Sequence, residues 1–419
     1  MSFLGIAAWY AFLTANPVNL TTADLGRHIT NGKLALSQPG VLASNFYSYT
    51  FPGFPFVNHH WGSGLVFYWV HEIFGFPGLS LFYLALSIAT IYFMFRETLE
   101  ESDPFPAIAA TFCAIPLLAY RSEIRPEAFS MFFLALFYRI LARSRRGQGQ
   151  RGLFLLPPLM LLWVNLHIYF VFGFFLMGVF LLDSLATQYM RGQKLRDMAS
   201  TRLVKILLLC ALASLVNPIG YKLALQPFQI FQNYGYRILE NQSILFLWNL
   251  GMIHSILAIT GIVFFLASLG ALLYAWLKDE KAFSLSLGIA LVFCVMASLG
   301  VRNISLAGLF LIPVLARSFD GLGSLHRGGE RLLRFAPGLL GLCAILLNTW
   351  YFTEYAFGRP RGLGLAAGVN ASARFFLDQE IRGPIFNNYD IGGYLIYHLF
   401  PGERVFVDNR PEAYPASFF

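Results

Sequence analysis

The chain has 419 residues, 57% hydrophobic and 12% charged, with a mean hydropathy of +0.60. A soluble domain carries about 25% charged residues, so this composition excludes a large water-soluble enzyme and points to an all-α polytopic membrane protein. The net charge of +8 sits in short connectors between apolar runs, which reads as topology and implies no nucleic-acid partner.

Apolar runs of spanning length, or nearly so, fall at 3–15, 77–95, 105–120, 128–142, 153–166, 168–187, 203–217, 252–277, 282–300, 303–316 and 335–352. About eleven transmembrane helices are therefore expected. The first run is short and lacks a basic leader, so the natural first helix is expected to begin upstream. Trp61–Phe74 is apolar but short and contains His71 and Glu72. It reads as an interfacial or re-entrant helix within a long first outer loop, 16–76. Cys113, Cys210, Cys294 and Cys343 lie in apolar runs without metal or disulfide spacing, as small core residues would.

Basic residues orient the chain. Connectors 139–151, 191–205 and 317–334 carry Arg139, Arg143, Arg145, Arg146, Arg191, Lys194, Arg202, Arg317 and Arg331 among others. Eleven spans put all three connectors on one side, and the positive-inside rule makes that side cytoplasmic. A multi-pass protein of the plasma (inner) membrane is expected. Its outer face then holds 16–76, 121–127, the Asn165/His167 turn, 217–251, the Arg302/Asn303 turn and everything after 352. Residues 1–352 read as the transmembrane domain. Residues 353–419 read as a small outer α/β segment with a strand at Arg404–Arg410, incomplete and continuing beyond Phe419.

The unusual polar clusters fall on that outer face. Asp24 follows the first apolar run, with Arg27 and His28 one turn along. It could cap a helix or act as a general base toward an acceptor hydroxyl. His59-His60-Trp61 could anchor at the interface, donate hydrogen bonds to a phosphate or sugar hydroxyl, or bind a metal. In Arg121-Ser-Glu123-Ile-Arg125-Pro126-Glu127, a solvated turn suits Arg121 and Glu123. Pro126 fixes a helix start there, and Arg125 and Arg302 suit bidentate binding of phosphate. Asn165-Leu-His167 and Asn217-Pro218 end spans. No phosphate-binding glycine loop, GxSxG, HExxH or CxxC occurs.

In order along the chain, these features resemble the GT-C superfamily of integral-membrane glycosyltransferases. The matching elements are Asp24 in a D-x-x-x-H-I-x-x-G-K motif, His60-Trp61 through Gly75, Arg125-Pro126-Glu127, Leu162-Trp-Val-Asn165-Leu-His167 and Asn217-Pro218-Ile-Gly220. The Gly392–Arg410 tail resembles uncharacterised bacterial members. The resemblance implies a lipid-linked donor, a polyprenyl-phosphate sugar, and inverting transfer on the outer face to a glycan, lipid or protein acceptor. Asp24 would be the catalytic acid of the first loop. Arg125 and Arg302 would hold the lipid phosphate, and Arg27, His28, His59, His60, Glu127, Asn165 and His167 would line the substrate site. Many relatives have two adjacent acids where this chain has Asp24-Leu25, which leaves Asp24 acting alone and a divalent metal ion an open question. Two rival readings stand beside it. A transporter or flippase for a polyprenyl-linked glycan would need charge at mid-membrane depth. A non-catalytic scaffold of envelope polysaccharide assembly would tolerate loss of the outer charges.

Overall fold

The computed structural model describes residues 2–22, 24–192, 198–229, 234–252, 281–326 and 336–419. Its helices are α1 (Ser2–Thr14), α2 (Leu25–Ala35), α3 (Trp61–Thr98), α4 (Pro104–Ala119), α5 (Glu127–Arg145), α6 (Leu156–Leu166), α7 (Val171–Met190) and α8 (Met198–Ser214). They continue with α9 (Tyr221–Gln229), α10 (Ile244–Asn249), α11 (Lys281–Leu299), α12 (Ile304–His326), α13 (Ala336–Tyr351), α14 (Ala371–Asp378) and α15 (Gly392–Leu399). Every apolar run is helical over most of its length except 252–277, which from 253 onward lies outside the described residues. Among the described residues, Trp61–Thr98, Ile168–Met190 and Val301–Ser318 are long and apolar enough to cross a bilayer. Phe3–Thr14, Pro104–Ala119 and Leu285–Leu299 are shorter apolar helices.

The 38 residues of α3 are two helices meeting at a kink, so Trp61–Phe74 is a short helix of its own, as expected, and it abuts the span directly with no connector between them. At 1.5 Å per residue α3 would be about 57 Å long, against a hydrocarbon core of about 30 Å. The break is at Gly75, whose φ of 63° and ψ of −166° no helix accommodates, and Pro77 follows it.

At the centre, α12 packs against α4 and α11. Small residues on α4 (Ala107, Ala110, Ala114) are fully buried. A Cβ added to Gly308 of α12 would lie 2.8 Å from Leu117 Cβ. Lipid tails are as apolar as a protein interior, so helix association relies on such close approach rather than on hydrophobic burial. Leu182, Leu212 and Ile345 point outward, as lipid-facing side chains would. Cys113, Cys210 and Cys294 are buried as expected, but Cys343 is exposed, because it lies on the outward face of α13.

Charges sort to two ends. Arg139 and Arg146 both pair with the buried Glu97, Arg146 and Arg317 with Glu101, and Arg145 with Asp183 at 2.6 Å. This is the end that carries the basic connectors. The α4–α5, α6–α7 and α11–α12 turns meet α2 at the other.

The tail holds no strand. Val405 makes a single parallel bridge to Ser48, through Val405 N–H to Tyr47 O at 3.1 Å and Tyr49 N–H to Val405 O at 3.1 Å. The ladder stops there because the next backbone groups are taken elsewhere. Phe406 N–H donates to Asn387 Oδ1, Asn387 Nδ2 donates to Val407 O, and Asp408 N–H donates to Tyr414 OH.

Glycines position the site. A Cβ on Gly32 of α2 would lie 2.1 Å from the carbonyl oxygen of Gly64 on α3, so the two helices touch backbone to backbone. A Cβ on Gly62 would lie 2.4 Å from Asn165 O, which seats the start of α3 on the end of α6. Gly32→Val forces the two backbones apart. It should cost about 1–3 kcal/mol of stability and lower the thermal midpoint in detergent. Gly5→Ala, with nothing within 4 Å, should leave that midpoint unchanged.

Candidate active site

Asp24 occupies the N-cap position of α2, yet its side chain makes no capping hydrogen bond. The carboxylate turns away from the helix into a cavity of about 380 Å³. There Oδ1 accepts from Asn409 Nδ2, and Oδ2 lies 3.7 Å from Arg27 Nη2. The capping reading fails because the Asp24 backbone is itself helical, with φ of −69° and ψ of −1°, whereas a capping residue has extended backbone that turns its side chain onto the first N–H groups. The Asp24 side chain is 28% exposed whereas that of Arg27 is 5% exposed, so the acid is the more accessible member of the pair.

Nine of the sequence-predicted residues line this cavity together: Asp24, Arg27, His28, His59, His60, Arg125, Glu127, His167 and Arg302. Asn165 does not. Its Nδ2 donates to Leu161 O and Val216 O, and its Oδ1 accepts from Trp61 Nε1, so it ties α6 to α3 and the α8 end.

The two arginines expected to hold phosphate are already paired. Arg125 meets Glu123 at 2.6 Å and Glu240 at 2.8 Å. Arg302 donates to Glu127 at 2.9 Å and to Asn241 at 3.0 Å. Arg121 is no solvated turn residue: it bridges Glu127 at 2.9 Å and Glu240 at 3.1 Å. Burial would raise the Glu127 carboxyl, but Arg121, Arg302 and Arg125 outweigh it and hold the group well below its usual range. Glu240 is lowered in the same way: burial raises it, and Arg121 and Arg125 override that.

Sequence reasoning passed over Arg237. It lines both the first cavity and a second one of about 600 Å³. Among the described residues it pairs with no carboxylate, and its guanidinium lies 5.8 Å from the Phe246 ring. The second cavity is lined by Tyr169, Phe172, Met296 and Leu299, between α7 and α11, and shares Tyr236, Arg237, Asn241 and Arg302 with the first. The residues 234–241 that divide the cavities have no periodicity to betray them. Only the flanking tyrosines of Tyr234-Gly-Tyr-Arg237 offered a signal. Tyr389, Asn409 and Glu412 reach the first cavity from the tail.

Four imidazoles gather at its base. Ring centroids are 4.0 Å apart for His59–His60, 5.0 Å for His60–His167 and 5.4 Å for His28–His60. Burial, then neighbouring cations and histidines, pushes His28 and His60 well below the usual imidazole range. Burial is also the main reason that His59 falls to about 4 and His167 to about 3. All are neutral at neutral pH, and the tautomers of His167 and His59 follow from their partners. Trp163 Nε1, which can only donate, gives its hydrogen to Ser130 Oγ at 2.7 Å. His167 Nδ1 also accepts from Tyr169 N–H at 3.4 Å, so Ser130 donates to it at 2.7 Å, and the His167 proton sits on Nε2. His59 Nδ1 faces Val57 O at 3.2 Å and must donate, which leaves its Nε2 a lone pair. The base of the cavity thus offers a hydrogen-bond donor and an acceptor, both uncharged. Among the described residues, no group of three or more His, Cys, Asp or Glu side chains is arranged to hold a metal ion.

No protein-family model and no curated sequence matches the chain. Solved structures do. The crystal structure of the apo oligosaccharyltransferase of Archaeoglobus fulgidus matches with a TM-score of 0.59 at 14% identity, over 97% of this chain and 64% of that one. The oligosaccharyltransferase AglB of the same archaeon, in complex with an inhibitory peptide and a dolichol-phosphate, matches with a TM-score of 0.57 at 14% identity, over 95% and 63%. The chain therefore shares the fold of these membrane oligosaccharyltransferase structures. The chain spans under two thirds of the length of these neighbours.

The neutral histidines define a pH window. Unfolded histidine titrates near about 6.5, well above the folded values of about 4 for His59 and about 3 for His167. Between these values the unfolded chain binds more protons than the fold, so stability falls as pH drops from about 6.5 toward about 4. The thermal midpoint in detergent should decline across that window, and His59→Gln with His167→Gln should flatten the decline. A wild-type midpoint that stays level there would contradict neutral, buried imidazoles.

Proposed function

We propose that the protein is an inverting membrane glycosyltransferase that moves a sugar from a polyprenyl-phosphate-linked donor to an acceptor in the first cavity. The observation that carries this reading is the Asp24 carboxylate. It leaves its helix uncapped to face a cavity walled by arginines and neutral imidazoles. The GT-C fold supports it, and the dolichol-phosphate held by the archaeal neighbour supports a lipid-linked donor.

In this reading Asp24 takes the proton of the acceptor hydroxyl as that oxygen bonds to the sugar's anomeric carbon. The bond from that carbon to the phosphate oxygen breaks, and polyprenyl phosphate departs with its electron pair. Arg237 is the guanidinium placed to hold the phosphate, because Arg125 and Arg302 already have carboxylate partners and serve as the wall behind it. The apolar cavity between α7 and α11 suits the polyprenyl tail. His167 Nε2–H and His59 Nε2 suit sugar hydroxyls. With the basic connectors at the opposite end, the positive-inside rule puts this site outside the cytoplasm. Residues 1–352 then form the transmembrane part, and 353–419 an outer segment that closes the site. The gathering of charge at the two ends counts against the transporter reading.

Purified protein should transfer sugar from at least one of a panel of polyprenyl-monophosphate hexoses and pentoses. Asp24→Asn should lower kcat by about 10² to 10⁴-fold, and full activity in the folded variant would refute the role of Asp24. Arg237→Ala should raise the KM for the donor about tenfold or more. An unchanged KM would remove Arg237 from the phosphate site.

A further inference from the structure

We infer that Asn409, near the end of the tail, is the positioning residue for Asp24, so that the C-terminal segment completes the active site. The inference rests on the reading of Asp24 as the base.

Asn409 uses both ends of its amide. Nδ2 donates to Asp24 Oδ1, and Oδ1 accepts from Arg27 Nε at 2.9 Å. No other orientation of the amide suits both partners, since a carboxylate needs a donor and a guanidinium an acceptor. The amide therefore acts as a spacer that satisfies both charges while Asp24 Oδ2 and Arg27 Nη2 stay 3.7 Å apart. Without it, nothing in this geometry stops the guanidinium from closing onto the carboxylate and occupying the oxygen that must accept a proton.

The backbone at this position is held on both sides. Asp408 and Arg410 are 0% and 1% exposed. Arg410 Nε and Nη2 grip the two Asp408 oxygens at 2.6 and 2.7 Å. Arg410 also donates to Asn45 Oδ1 at 3.3 Å and lies over the Tyr47 and Phe56 rings. The chain bends at Asn409, so residues 408 and 410 are locked into the interior while Asn409 lines the cavity. Gly393, at the start of α15, leaves the room: a Cβ there would lie 3.3 Å from Asn409 Nδ2 and 3.7 Å from Arg27 Cβ. The buried ion pair anchors the tail, and the amide between its members sets the acid.

The test compares Asn409→Ala, Asn409→Asp and Asp24→Asn with wild type, using the polyprenyl-monophosphate sugar that the wild-type protein turns over. Both Asn409 variants should lower kcat about tenfold to a hundredfold with the donor KM within about twofold. In the Asp24→Asn background, Asn409→Ala should cause no further loss, since Asn409 acts only through Asp24. A residue that merely held the tail in place would lower the thermal midpoint and add its loss in either background. Wild-type kcat in folded Asn409→Ala, beside an inactive Asp24→Asn, overturns this inference and leaves the base assignment intact. Full activity in Asp24→Asn overturns both. Should Asn409→Ala not fold, Asn409→Gln keeps the amide but displaces it by one methylene. A loss of kcat at constant KM in that variant supports positioning, and wild-type kcat refutes it.

Discussion

Because the carbonyl of Gly64 fills the space that a Cβ at Gly32 would need, α2 lies on α3 closer than any larger residue permits. The whole site hangs on that contact. It fixes the N-terminal end of α2, with Asp24, Arg27 and His28, beside the start of α3, with His59 and His60. Gly62 then seats the start of α3 on the end of α6, which brings His167 to the same place. Backbone contact of this kind leaves no room for a shift along either helix, and so it specifies the register of α2 on α3.

Charge compensation is the second constraint. Arg121, Arg125 and Arg302 come from two different turns, and Glu127 and Glu240 tie them together. A half-buried guanidinium without a carboxylate would bear a desolvation cost that attraction to a neighbour offsets. This network makes a rigid wall of what the sequence presents as loops. It also moves the proposed phosphate contact from Arg125 and Arg302 to Arg237, which lies at the seam of the polar and the apolar cavity.

The helices were legible because long apolar runs bounded by polar residues mark them, and the apolar helices at 105–120 and 282–300 needed nothing more. The cluster of polar turns at one end was legible from the alternation of basic connectors. The residues of the site that were missed come from the chain's irregular parts. Glu240, within the outer connector 217–251, becomes a countercharge once Arg121 and Arg125 fold against it. Asn409 looked like one position of a strand, yet Arg404–Arg410 bends at Phe406 and Asn409 and pairs with another backbone only at Val405, and the role of Asn409 depends on Asp24, 385 residues away. Asn165 sits beside His167 in sequence, but helix phase turns its amide onto backbone carbonyls and away from the cavity. Short-range pattern says where polar groups gather; it does not say which of them neutralise one another.

The proposed chemistry requires a lipid-linked sugar to bridge the two cavities. A density map of the protein in a lipid bilayer with a polyprenyl-monophosphate sugar would test this most directly. The headgroup should lie between Asp24 and Arg237, with the isoprenoid tail leaving between α7 and α11. A headgroup bound instead at the opposite end, beside Arg139 and Arg146, or beyond hydrogen-bonding reach of both Asp24 and Arg237, would contradict the assignment of the site.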